Sequence, residues 1–185
     1  SSAKRAAIQL RCFEYRESRS GKWAKTFLEG FSGVLITDGY SGYNKVQEAE
    51  RAGCWAHMRR KWLEAMPEGA DAKTCKAAEG YEFCNRLFEL ERQFEKLTAD
   101  ERLRQRKEKS GPVLEAYWTW LNTIPRPTGK LKDAVTYAQN QKAHLSAFLE
   151  HGEIEISNNQ VENAIRPFVI GRKGDGFLPI RPRAR

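Results

Sequence analysis

The feature that most constrains this chain is a change of hydrophobic period, twice along its length. Residues 6–15 carry Ile8, Leu10, Phe13 and Tyr15 among polar neighbours, an imperfect alternation that predicts a strand. Ser18 to Gly21 is turn-like, and Trp23, Phe27 and Leu28 predict a short helix ending near Gly30. Gly33 to Thr37, with Val34-Leu35-Ile36 at its centre, predicts a buried strand running into an Asp38-Gly39-Tyr40 turn. Ala52 to Ala56 reads as a further strand, passing directly into a basic helix through Met66. From about residue 71 to residue 151 the pattern is helical only. There Tyr81, Cys84, Leu87, Phe88, Leu90, Phe94 and Leu97 recur at three- and four-residue spacing. Leu114, Tyr117, Trp118 and Leu121 make a second stripe, and Leu131, Val135, Ala138, Leu145, Phe148 and Leu149 a third.

The punctuation agrees. Thr98 with Glu101 is a capping box that starts a helix. Gly111-Pro112 predicts a break or kink, because Pro112 has no amide hydrogen to donate. Pro125 and Pro127 mark a loop. After the helical block, Glu153-Ile154-Glu155-Ile156 alternates as a short strand. Ser157 and Asn158 are good N-caps for a helix carrying Val161, Glu162, Ile165 and Arg166 and stopping near Pro167. An α/β domain interrupted by an all-helical insertion produces this order. Residues 1–66 and 152–173 form its core, residues 67–151 the insertion, and residues 174–185 a tail expected to be poorly ordered.

Charge and cysteine usage narrow the partners. The chain carries a formal +8, with a pI near 9.4, which favours a polyanion such as DNA over a neutral or cationic partner. The plain alternative is a solvated basic surface. Cys12, Cys54, Cys75 and Cys84 form no paired framework. The small, basic start of the chain has no apolar stretch behind it, and no run approaches the roughly 20 apolar residues of a membrane helix. Thiols in a reducing cytoplasm, away from membranes, are therefore expected.

Three places invite a chemical reading. Asp38 stands at the end of a predicted buried strand, where open α/β sheets present ligands, although an Asp-Gly turn alone explains it. Glu162 lies one turn into a capped helix, four residues before Arg166, a spacing that also suits an ordinary ion pair. Its neighbours Asn158, Asn159 and Asn163 are poor helix formers. Cys54 and His57 have the spacing of half a zinc site, but no second half-site exists, and a buried thiol beside a packed histidine accounts for them.

Taken together, three segments resemble the insertion sequence sixty-six family of bacterial transposases. They are Thr37 to Asn44 (TDGYSGYN), Ala52 to Lys61 (AGCWAHMRRK) and Glu155 to Pro167 (EISNNQVENAIRP), with Ile170 to Lys173 continuing the likeness. The resemblance implies a ribonuclease H-like core with an Asp-Asp-Glu triad, and two-metal phosphoryl transfer on DNA with Mg²⁺ or Mn²⁺. Asp38 matches the second aspartate and Glu162 the glutamate, both as catalytic metal ligands. Cys54 and His57 match a Cys-x-x-His signature that supports the site. Arg59, Arg60, Lys61, Arg166, Arg172 and Lys173 are the expected phosphate contacts. Nothing ahead of Asp38 matches the first aspartate, and residues 174–185 depart from the family pattern. The expectation is thus a truncated transposase catalytic domain, inactive alone, with DNA and other transposase subunits as partners. A noncatalytic basic remnant that binds DNA and interferes with or assists a full-length transposase is the alternative.

Overall fold

The computed structural model describes residues 21–46, 48–69 and 75–159. The predicted strand at residues 6–15, the turn that begins at Ser18, the Glu162 helix and the tail lie outside them. Ser20–Asn158 pack as one unit. Helix α1 (Gly21–Phe27) is followed by strand β1 (Gly33–Thr37), a 3₁₀ turn (Ser41–Lys45), strand β2 (Ala49–Gly53) and helix α2 (Trp55–Ala65). The helical block then comprises α3 (Lys76–Phe94), α4 (Ala99–Gln105), α5 (Gly111–Leu121), α6 (Gly129–Asn140), α7 (Lys142–Ser146) and a 3₁₀ turn (Ala147–Glu150). Mixed α/β character holds for the described residues, with helix dominant and one small sheet.

That sheet is a parallel pair in which Gly33 faces Ala49 and Thr37 faces Gly53. Parallel strands need a crossover between them, supplied here by residues 38–48. The pairing shifts the second strand toward the N-terminus of its predicted place: β2 is Ala49–Gly53, not Ala52 to Ala56. Its charged start, Glu50 and Arg51, obscures it in sequence, while Trp55 and Ala56 already belong to α2.

One core unites strand ends and helices. Trp55, Met58 and Trp62 recur on one face of α2 and are fully buried. They join Cys84 and Leu87 of α3, Leu114, Tyr117 and Leu121 of α5, Ala134, Val135 and Ala138 of α6, and Leu145 and Phe148. Aromatic edges meet faces at several pairs: the Trp55 and Tyr117 rings are 5.6 Å apart at 67°, and the Trp62 and Trp120 rings 5.5 Å at 65°. Gly80 permits the close approach of α3, since a β-carbon there would lie 2.5 Å from the Trp62 ring.

Three predicted details change. The predicted break or kink at Gly111-Pro112 lies just ahead of the pair. Helix α4 gives way to a π turn over Arg106–Ser110, and α5 follows from Gly111 with Pro112 in its first turn. The third stripe is not one helix, because the backbone leaves helical geometry at Gln141. Residues 153–156 form no strand. Two of their carbonyls, and that of Gly152 just before them, are taken by other groups. Ile154 O accepts from Arg106 Nη2 at 2.9 Å, Gly152 O from Arg102 at 3.2 Å, and Ile156 O from the Trp55 amide at 2.9 Å.

The Arg106 guanidinium is 0% exposed and is the polar centre of the block. It donates from Nε and Nη2 to the two carboxylate oxygens of Glu91, at 2.8 and 2.5 Å. It also bonds the carbonyls of Phe148, His151 and Ile154. The capping box is present as predicted, with Thr98 Oγ1 accepting from the Glu101 amide at 3.3 Å and Glu101 accepting from the Thr98 amide at 3.0 Å.

Candidate active-site face at the strand ends

The C-terminal ends of β1 and β2 lie side by side, tied by the Cys54 amide donating to the Thr37 carbonyl at 3.0 Å. Asp38 follows at once. Its Oδ1 accepts the Tyr40 amide at 3.0 Å, an Asx turn. The plain turn and the strand-end carboxylate therefore coexist in one residue. Gly39 adopts φ +82°, a left-handed conformation that side-chain-bearing residues rarely take. From α6, the Tyr137 hydroxyl donates to the Asp38 carbonyl at 2.9 Å.

Arg51, on β2, braces the same corner. Its guanidinium donates to Thr37 Oγ1 at 3.1 Å and to Asn44 Oδ1. Burial lowers the pKa of Arg51 from its ordinary value, and the nearby Asp38 charge pulls the other way. Burial likewise raises the Tyr137 hydroxyl well above the usual phenol range, so it stays a donor at any physiological pH.

Cys54 occupies the junction between β2 and α2 and is fully buried. Its thiol donates to Asn158 Oδ1 at 2.9 Å, and the Asn158 amide approaches Sγ at 3.5 Å. The Trp55 amide holds Ile156 O, and Trp55 Nε1 donates to the Leu145 carbonyl at 2.9 Å. The return segment 156–158 is thus pinned to the strand ends. His57 is half-buried in the first turn of α2. Among the described residues, no three His, Cys, Asp or Glu side chains gather to hold a metal ion. A metal at Asp38 would need carboxylates from outside them.

The predicted phosphate contacts differ in how far they are committed. Arg59 lies over the Tyr81 ring, 4.4 Å from its centroid, and bonds Asn85 Oδ1 at 2.7 Å and the Tyr81 hydroxyl. It braces α2 against α3. Arg60 is exposed, and Lys61 stands 3.9 Å from Glu64. Glu162, Arg166, Arg172 and Lys173 lie outside the described residues. No described helix is long and apolar enough to cross a membrane.

The family described as Transposase IS66 family matches residues 1–180. The chain belongs to this transposase family. Among curated proteins it is similar to three from Sinorhizobium fredii (strain NBRC 101917 / NGR234). The uncharacterized protein y4qI is 33% identical over 178 residues, covering 89% of the chain and 32% of that protein. The uncharacterized proteins y4hP and y4jD are 29% and 28% identical, over 86% and 89% of the chain. The chain spans about a third of the length of these curated relatives. No solved structure matches it.

Within this IS66-family chain, charge is unevenly shared. Residues 21–159 contain 21 Lys and Arg against 20 Asp and Glu, whereas the remaining residues contain 11 against 4. The overall excess of +8 therefore belongs mostly to the two ends of the sequence. Sequence reasoning missed Tyr137 and Arg51 as members of the Asp38 corner, and Asn158 as the partner of Cys54. The first pair of segments is separated by 99 positions and the last by 104, and neither leaves a local signal.

Proposed function

We propose that this chain forms part of the catalytic face of a DDE-type transposase with a ribonuclease H-like core. In this reading Asp38 and Glu162 are ligands for Mg²⁺ or Mn²⁺. The observation that supports it most is the Cys54–Asn158 pair. It holds Asn158, which precedes Glu162 by four positions in the sequence, at the strand ends that carry Asp38. Motif segments far apart in sequence thereby share one corner, and in this reading Cys54 takes the supporting role that the family resemblance implies.

The donor chemistry at Asp38 fits such an ion. It is a hard carboxylate on a rigid strand end, with Oδ1 oriented by the Tyr40 amide and no hydrogen bond to Oδ2 from the described residues. Bound divalent cations would activate the attacking oxygen and stabilise the leaving one. The protein groups supply orientation. Arg51 and Thr37 hold the β1–β2 junction, and Cys54 holds the return segment. The DNA partner would be met chiefly by the basic ends of the chain, since residues 21–159 are almost neutral. That same imbalance favours, as a second reading, a noncatalytic DNA-binding role beside a full-length transposase.

Mn²⁺ titration and DNA binding separate the two. On the catalytic reading, Asp38→Asn and Glu162→Gln each weaken Mn²⁺ binding by about tenfold or more, as loss of a charged ligand does. Two carboxylates alone do not serve two cations, so the unaltered chain should leave supercoiled plasmid intact with Mg²⁺ or Mn²⁺. Mn²⁺ binding indifferent to both substitutions, with DNA binding that weakens steeply with salt, would transfer the case to the noncatalytic reading.

A further inference from the structure

We propose that Tyr137, in the helical block, is a positioning residue for Asp38: its hydroxyl and ring fix the backbone turn that aims the carboxylate. The inference rests on reading Asp38 as a metal ligand. It adds that the block, through α6, determines whether that ligand is correctly presented.

Three restraints converge on two residues. The Cys54 amide fixes the Thr37 carbonyl at 3.0 Å. The Tyr137 hydroxyl fixes the Asp38 carbonyl at 2.9 Å. The Tyr40 amide fixes Asp38 Oδ1 at 3.0 Å. With both carbonyls held, the peptide planes on either side of the Asp38 α-carbon have little freedom, and the direction of its side chain follows.

The contact extends beyond one hydrogen bond. At Gly39 a β-carbon would lie 3.0 Å from Tyr137 Cε2 and 3.1 Å from the Gln141 amide carbon. The end of α6 therefore packs so tightly against the turn that a side chain at position 39 would need these neighbours to shift by a few tenths of an ångström. The Gly39 φ of +82° is the conformation that brings the turn into this position. Positional accuracy matters in metal-assisted phosphoryl transfer, where misplacement by about 1 Å can cost ~10²-fold in rate.

A purely structural role for the tyrosine would stabilise the fold without setting the geometry of the turn. Tyr137→Phe, made in the whole chain, distinguishes the two, because it keeps the ring and removes only the donor. Amide exchange followed by NMR should show the Tyr40 amide exchanging roughly five- to tenfold faster, the change one ordinary hydrogen bond permits. The Cys54 amide, bonded to Thr37 on the other side, serves as the internal reference and should change little. Mn²⁺ affinity should fall by about three- to tenfold, with a smaller effect than Asp38→Asn.

Equal acceleration at Tyr40 and Cys54, or none at either, overturns the proposal. So does an unchanged Mn²⁺ affinity in Tyr137→Phe when Asp38→Asn weakens binding, and in that case Asp38 keeps its assignment as a ligand. If the unaltered chain binds no Mn²⁺, the metal reading of Asp38 fails. The exchange ratio then decides on its own whether Tyr137 shapes the turn.

Discussion

Two parts of this unit are held together in contrasting ways. At Arg106 a buried cation is surrounded by a bidentate carboxylate and three carbonyls. At the strand ends the contacts are few and mostly polar: Tyr137 to Asp38, and Cys54 to Asn158. The first arrangement concentrates stability, because removing either partner strands a charge out of water. The second concentrates geometry, because each bond contributes little energy but fixes a direction. The difference teaches that the parts of this molecule that hold it together need not be those that aim its candidate ligands.

The contrast is broken most severely at Arg106. Arg106→Met leaves the Glu91 carboxylate and three carbonyls without their donor, and should cost about 3–5 kcal/mol. For a chain of this size that lowers the thermal midpoint by roughly 10 °C. A loss below about 1 kcal/mol in urea unfolding would mean that water replaces the guanidinium and that the hub is not the anchor described. Pairing the change with Glu91→Leu should recover much of the loss, as replacement of a whole buried ion pair commonly does.

Cys54→Ala should act more weakly and more locally. It removes both contacts with Asn158 and a small buried volume, about 1–2 kcal/mol in sum. The Asn158 amide should exchange faster while amides within α3 keep their protection. Loss of protection spread evenly through α3 would erase the distinction between anchor and aim.

The smallest effect belongs to His151, which stands between Glu50 of β2 and Glu153. Its Nε2 lies 3.0 Å from Glu50 and its Nδ1 3.1 Å from Glu153. The hydrogen bond with Glu50 raises the imidazole pKa above its ordinary 6.5, burial opposes it, and Glu153 adds a lesser upward pull. A raised folded value favours the protonated form, so this stabilisation is full below about pH 6.5 and fades as pH rises through the folded value. Urea midpoints should therefore decline between pH 6 and pH 8 in the unaltered chain more than in His151→Gln. Parallel profiles would show that the two carboxylates stabilise nothing there.

How much of this was legible depends on whether the signal was local. The α3 stripe, the Thr98 capping box, β1 and the Asp38 turn follow from period, caps and turn chemistry within a few residues. β2 was placed late because Glu50 and Arg51 read as solvent-facing, although parallel pairing is set by the backbone. The alternation of residues 153–156 imitates a strand, but arginine side chains had taken carbonyls that a ladder would need. Arg106 itself hides in a run of charges, Arg102, Arg104, Arg106, Lys107 and Lys109, with nothing in the run to mark the buried one. At the site, Asp38 and Cys54 were legible as motifs. Tyr137 and Asn158 were not legible as their partners, since those contacts span 99 and 104 positions.

The bond between the Trp55 amide and the Ile156 carbonyl has a consequence for how such a chain can diverge. The polypeptide departs from the strands at Cys54 and comes back at residues 156–158 within hydrogen-bonding distance of its point of departure. Everything between is a detour whose two ends are already joined. Lengthening a joined detour costs entropy only as the logarithm of its size, with each doubling adding about 0.6 kcal/mol. Helices can thus be gained, lost or exchanged within residues 67–151 while the exit and the return stay where they are, provided that α6 still brings a hydroxyl to the Asp38 carbonyl.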